Sequence, residues 1–532
     1  MLLRSLTGEA RSTEVFEIRG KKRGFIMERK SGILLPVSSL PSRYGIGCFS
    51  REAYEFVDYL VRAGQTYWQI LPLGQTGYGD SPYQSFSTFA GNPYFIDPEK
   101  LIQLEYISRE EADAADCSGD PARVSYAELY DRRHLLLAKA YRNSPFALQL
   151  KDRWKSRDYD REREDFNRFI QENIDWLQDY ALYWAVKQEM GGIPFIKWER
   201  GIRLREPEAV AKWTGRLSEH IRFIQFQQYM FFSQWTELKK YANEKGIRII
   251  GDLPIYVAFD SADAWSHPEL FEFDEDGYPT VVAGCPPDAF SETGQLWGNP
   301  IYRWDYHKET GYSWWMDRLG HAFRLYDMVR IDHFRGFDEY YTITSGSQTA
   351  IGGQWKPGPG IDLFRVMKER LGDRDIIAED LGYLTPSVHR LLEDSGYPGM
   401  KVLQFAFSGD PANLYLPHNH VENSVVYTGT HDNQTTAGWY QSAPKYERAF
   451  IHRYLGIFGR EATPEDMIRT ALMSVAALAV IPMQDYLELG NEARINTPST
   501  MGSNWQWRLV PGQLTDQLAD RIRSLTELYQ RL

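Results

Sequence analysis

Eight short apolar, β-rich runs recur along the chain, and each ends in polar or charged residues. They are Gly32–Val37, Trp68–Leu73, Ile247–Leu253, Met328–Asp332, Asp375–Glu379, Met400–Phe405, Ser424–Thr428 and Val480–Gln484. Apolar runs without polar alternation suit strands covered on both faces, as in a parallel sheet with helices packed against it. Helical stretches separate many of them, beginning with an amphipathic one from Arg51 to about Ala63. Eight such units predict an α/β fold, a (β/α)8 TIM barrel. The chain has 532 residues. A barrel of this kind takes about 250, so roughly half of the sequence is expected as large, mainly helical insertions between strands.

The expected organisation follows from that excess. Residues 1–30 read as a flexible N-terminal arm, and 31–532 as a single catalytic barrel. Within it, about 99–217 forms a helical insertion subdomain and about 283–300 an active-site loop rich in Gly and Pro. The insertion carries the charge run Asp158-Tyr-Asp-Arg-Glu-Arg-Glu-Asp, which reads as a solvated helix face. Phe166, Phe169, Ile170, Trp176, Leu177, Tyr180 and Trp184 follow helical spacing, as do Phe223, Phe226, Met230, Phe231, Trp235 and Leu238. Ordinary helix packing accounts for both stripes.

Composition narrows the partners. With 60 basic against 72 acidic residues, the net charge is −12 and no basic block stands out. Such a chain neutralises phosphates poorly, so nucleic acid is not expected as a partner. Cys48, Cys117 and Cys285 lie far apart and form no CxxC pair, which points to a reducing cytoplasm rather than a disulfide framework or structural zinc. The N-terminal segment lacks the apolar stretch of a secretory signal. The most apolar run, Ala471–Met483, is too short to span a bilayer, so no membrane partner is expected. Oligomeric state is left open.

Active sites of such barrels sit at the C-terminal ends of the strands. Asp332 closes the strand in Met328-Val-Arg-Ile-Asp, Glu379 closes Ile376-Ile-Ala-Glu, Asp432 follows the strand in Thr428-Gly-Thr-His-Asp-Asn, and Asp252 stands in Gly251-Asp-Leu-Pro. A single acid after a strand is usually a helix cap or a loop residue. Four at corresponding places of one barrel suit glycoside chemistry, in which one carboxylate attacks and another protonates the leaving oxygen. Arg330, two residues before Asp332 and on the same strand face, would keep the attacking carboxylate ionised. The acid needs a raised pKa, which a neighbouring carboxylate would supply. A loop after the second run carries Tyr83, and a Gly- and Pro-rich one displays Phe290 and Trp297, which such a loop offers equally to core packing and to stacking on sugar faces.

Several segments now resemble one known family. Asp252-Leu-Pro-Ile-Tyr-Val, Pro286-Pro-Asp with Gly294-Gln-Leu-Trp-Gly-Asn-Pro, Arg330-Ile-Asp-His-Phe-Arg-Gly, Ala378-Glu-Asp-Leu-Gly and Gly429-Thr-His-Asp-Asn resemble the amylomaltases, or disproportionating enzymes. These are 4-α-glucanotransferases of glycoside hydrolase family 77 in the α-amylase clan. The likeness runs from about Ser31 to about Trp507. It implies Asp332 as nucleophile, Glu379 as general acid/base and Asp432 as a third acid gripping sugar hydroxyls. It further implies substrate-binding roles for Tyr83, Asp252, Arg330 and His431, and for Asp288, Phe290, Gln295 and Trp297 in the loop that closes over the glucan. Two loop positions depart from the family pattern: Cys285 stands where Val is common, and Ala289 where a Tyr often meets the glucan. The implied partners are α-1,4-glucans, maltooligosaccharides and glucose, with no cofactor. Two rival readings stay open at this point, an α-glucan hydrolase of the same clan and a non-catalytic glucan-binding protein.

Overall fold

The structure is a computed structural model and describes residues 28–77, 79–149, 154, 159–287, 291–382 and 384–532. The expected arm lies almost wholly outside the described residues. Twelve strands occur among them: β1 Lys30–Leu34, β2 Tyr67–Gln69, β3 Arg248–Leu253, β4 Val281–Cys285, β5 Gln295–Pro300, β6 Met328–Ile331, β7 Glu339–Thr344, β8 Gln354–Pro357, β9 Ile376–Ala378, β10 Gly399–Val402, β11 Ser424–Tyr427 and β12 Leu478–Pro482.

Eight of them close into a parallel barrel in the order β1-β12-β11-β10-β9-β6-β3-β2. These are the eight apolar runs of the sequence, so the (β/α)8 TIM barrel is present. The ends differ by a few residues. The first run was expected to reach Val37, yet β1 stops at Leu34, before Pro36, which has no amide to give to a ladder. Between β10 and β11 no α-helix forms, only the short turns Leu403–Phe405 and Pro417–Asn419.

The barrel strands are buried because helices cover them outside. Arg51–Arg62 lies between β1 and β2, Ser218–Glu244 leads into β3, and Ser313–Leu325 leads into β6. Further helices at Tyr126–Asn143, Asp160–Glu172, Ile174–Glu189 and Pro207–Arg216 fill the long connection between β2 and β3. Phe166, Leu177, Tyr180, Phe226, Phe231, Trp235 and Leu238 of the aromatic stripes are buried in the core. They pack against neighbouring rings, as Phe166 does on Phe146 with centroids 4.8 Å apart.

The other four strands make an antiparallel sheet of order β5-β4-β7-β8. The sequence offered this region only as a loop at about 283–300. Its flanks are in fact paired strands, with Gly284 opposite Leu296 and Cys285 opposite Gln295. β4 and β5 thus pair as the two arms of a hairpin, and β7, which follows the β6 end, carries it through β4.

Candidate active site

Strand register brings the acids together. Asp252 of β3 and Arg330 of β6 are direct partners in the parallel ladder, so their side chains leave neighbouring strands on the same face. Arg330 Nη1 donates to both Asp252 oxygens, at 2.8 and 2.6 Å. Arg330 and Asp332 alternate onto one face, and the same Nη1 reaches Asp332 Oδ1 at 3.1 Å. Glu379 arrives from β9, the next strand, with Oε2 3.8 Å from Arg330 Nη2.

The ladder continues past the strand ends and sets these acids at one level. Asp332 N donates to Leu253 O at 3.0 Å, and Glu379 N donates to Ile331 O at 3.1 Å. Gly251, just before Asp252, is required by packing, because a Cβ there would sit 2.1 Å from the Tyr326 ring. That ring covers the outer face of β3 and leaves Asp252 pointing inward.

Exposure separates the acids by task. The Asp252 side chain is 0% exposed and Arg330 4%, whereas Asp332 is 28% and Glu379 14% exposed. Asp252 and Arg330 therefore form a buried floor, and Asp332 and Glu379 are the groups a ligand can touch. Burial pushes the Glu379 carboxyl up to about 8; Asp332 adds to the push, while Arg330 and the His333 amide oppose it. Removal from water, rather than the neighbouring carboxylate expected from the sequence, is the larger cause of that rise. Burial alone would lower the Arg330 pKa, but Asp252, Asp332, Tyr83 and Glu379 hold it well above its ordinary value.

A second group forms around the loop after β11. Asp432 Oδ1 accepts from Asn496 Nδ2 at 2.6 Å and lies 3.4 Å from His431 Nε2. Arg494 Nη2 donates to the Asp432 carbonyl at 2.7 Å. The Tyr83 ring stacks on His431 with centroids 5.0 Å apart and planes at 14°. The Tyr83 hydroxyl donates to Asp252 Oδ2 at 2.9 Å, which ties this group to the buried floor.

Trp297 approaches from the hairpin. Its ring meets His333 edge-on, with centroids 5.0 Å apart and planes at 88°. Its indole donates to Gln295 Oε1 at 3.1 Å, so the two β5 side chains are tied to each other. Asp288 and Phe290, and Ala289 between them, lie outside the described residues. Sequence reasoning assigned no role to His333, Asn496, Arg494 or Trp505, whose ring lies 5.8 Å from Tyr83 and 6.0 Å from His431. His333 was visible inside the Asp332 motif; the other three sit on a distant segment and carry no local signal. Among the described residues, no group of three or more His, Cys, Asp or Glu side chains is arranged to hold a metal ion.

A parallel barrel with carboxylates at adjacent strand ends around one guanidinium defines a class of protein: barrel enzymes that work on glycosidic bonds with paired acids. The comparisons sharpen the class to a family. The family model for 4-α-glucanotransferases of glycoside hydrolase family 77 matches residues 35–514. The 4-α-glucanotransferase of Clostridium butyricum is 48% identical over 497 residues, 93% of this chain and 99% of its own length. That of Thermus thermophilus is 48% identical over 514 residues, 95% of this chain and 100% of its own. The solved structure of amylomaltase from Streptococcus agalactiae in complex with acarbose matches with a TM-score of 0.90 at 43% identity, covering 95% of this chain and 100% of that one. This chain belongs to the 4-α-glucanotransferase, or amylomaltase, family.

Proposed function

We propose that the chain moves a segment of an α-1,4-glucan onto the 4-hydroxyl of glucose or of another α-1,4-glucan, by a retaining double displacement. Family membership already makes it a glycosyltransferase acting on α-glucans; the proposal concerns the steps and the residues. The observation that carries it is the sharing of Arg330 between Asp332, at 3.1 Å, and Glu379, at 3.8 Å, with Glu379 pushed up to about 8 by its burial. One carboxylate thereby has a close cation beside it, while the other keeps its proton at neutral pH.

In the first step Asp332 attacks the anomeric carbon as Glu379 gives its proton to the glycosidic oxygen. The bond from the anomeric carbon to that oxygen breaks, the reducing-end piece leaves as an alcohol, and a glycosyl ester remains on Asp332. In the second step Glu379, now a carboxylate, takes the proton of an incoming 4-hydroxyl, whose oxygen displaces Asp332. When the 4-hydroxyl belongs to the same bound chain, the product is a ring.

Asp432, held by Asn496, grips hydroxyls of the sugar under attack, and Tyr83 stacks on it. Transfer exceeds hydrolysis because the Trp297 hairpin holds the acceptor in line and keeps water out. The same reading treats 31–532 as one catalytic unit, with 99–217 as an insertion and 283–300 as the loop over the acceptor. Among the described residues no helix is long and apolar enough to cross a membrane, and the buried free thiols of Cys48 and Cys117 suit a reducing cytoplasm.

Incubation with maltotriose tests the reading. A ladder of longer maltooligosaccharides together with glucose is expected, and Asp332→Asn should abolish it while the fold persists. Glucose and maltose without longer products would instead favour a hydrolase.

A further inference from the structure

His333 adopts a left-handed backbone, φ 50° and ψ 48°, directly after Asp332. L side chains disfavour this region, and such outliers gather where a site requires them. Here two consecutive amides turn to the same neighbour. His333 N donates to Glu379 Oε2 at 2.5 Å, and Phe334 N donates to Glu379 O at 3.1 Å. In an extended strand successive amides point to opposite sides, whereas a left-handed residue lets them converge into a nest. The turn is fixed by Gly336 N donating back to His333 O at 2.9 Å and by the burial of Phe334.

We propose that the left-handed backbone at His333 is the seat of the general acid: its amide commits Glu379 Oε2 as an acceptor and leaves Oε1 to carry the proton delivered to the glycosidic oxygen. His333 is thus a positioning residue, acting through its amide. This rests on the reading of Glu379 as acid/base. Arg330 Nη2 faces the same oxygen at 3.8 Å, so both donors near the carboxyl converge on Oε2. A proton on Oε2 would meet the His333 N–H head-on. The imidazole is not the proton carrier at neutral pH, because burial lowers its pKa to about 4. Its ring packs against Trp297 and adds no cation beside the acid.

The test separates backbone from ring. His333→Gly and His333→Asn remove the imidazole but accept a left-handed backbone; His333→Val and His333→Ala remove it and resist that backbone, Val more strongly. The readout is the alkaline limb of kcat/KM, with maltotriose and with α-maltosyl fluoride, whose leaving group needs little protonation. Losing a donor to the ionised carboxylate raises its pKa. For His333→Val the limb should move up by about one pH unit, and maltotriose turnover should fall far more than turnover of the fluoride. His333→Ala should shift the limb in the same direction by less, which keeps the test alive if the Val variant does not fold. Gly and Asn should leave the limb at its wild-type place. Equal shifts in all four variants, or an unmoved limb in folded Val and Ala variants, would overturn the seat. Failure of the underlying reading looks different: Glu379→Gln would then turn over maltotriose at the wild-type rate.

Discussion

Arg330→Met tests the buried floor of the site. In the wild type the Asp252 side chain is 0% exposed and receives Nη1 of Arg330 at 2.8 and 2.6 Å, plus the Tyr83 hydroxyl at 2.9 Å. Removing the cation leaves a carboxylate in the core with one neutral donor. Breaking a buried pair in this way costs about 3–5 kcal/mol, most of it from the charge left behind. The retained Tyr83 bond argues for the lower end, about 3 kcal/mol. Asp332 also loses its cation, but at 28% exposure water can take over, so it adds little.

The loss should depend on pH, with a definite sign. Burial already raises the Asp252 pKa, with Arg330 as the main opposing influence. In the variant the folded value rises further above the unfolded one, so the folded state binds more protons and stability falls as pH rises. The deficit should therefore be smaller at pH 5 than at pH 8. A second substitution, Asp252→Asn, removes the stranded charge and should recover at least half of the loss, because deleting both partners of a buried pair is far milder than deleting one. Urea unfolding followed by tryptophan fluorescence at both pH values measures the wild type and both variants. A single variant within about 1 kcal/mol of wild type, or a double variant less stable than the single, would refute the reasoning.

Other expectations follow from the same geometry. The alkaline limb of kcat/KM should fall near pH 8, where Glu379 loses the proton it must donate; a limb below about pH 6, in the range of an ordinary exposed carboxyl, would contradict it. Asn496→Ala removes the 2.6 Å donor to Asp432 and should lower kcat/KM by about tenfold without unfolding the protein, as steady-state kinetics beside circular dichroism would show. Trp297→Ala should lower the ratio of transfer to hydrolysis several-fold while the covalent step survives; chromatography of maltotriose products reads that ratio directly.

Much of the scaffold was legible in the sequence because a parallel barrel writes itself as continuous apolar runs. Met328–Ile331, Ser424–Tyr427 and Leu478–Pro482 are buried at every position, so no polar alternation interrupts the signal. The antiparallel sheet was not legible. Its β8 strand, Gln354–Pro357, is exposed along its whole length, so no apolar run marks it, and the buried centre of β4 is only three residues long and includes Gly284. The acids at the strand ends and Arg330 could be read off because each lies within a few residues of a recognisable strand. Asn496 and Trp505 could not, since they return to Asp432 and Tyr83 across more than sixty residues of chain. The cause of the raised Glu379 pKa was also out of reach, because burial is a property of the assembled barrel rather than of its motif.

The central claim is that Asp332 forms the bond to the sugar and Glu379 controls the proton. Trapping measures it most directly. A fluorinated maltooligosaccharyl fluoride, which slows breakdown of the intermediate, should add one glycosyl mass to the intact protein. Peptide mass spectrometry should place that mass on Asp332, and Asp332→Asn should take up none. Label on another residue, or undiminished labelling of Asp332→Asn, would contradict the account.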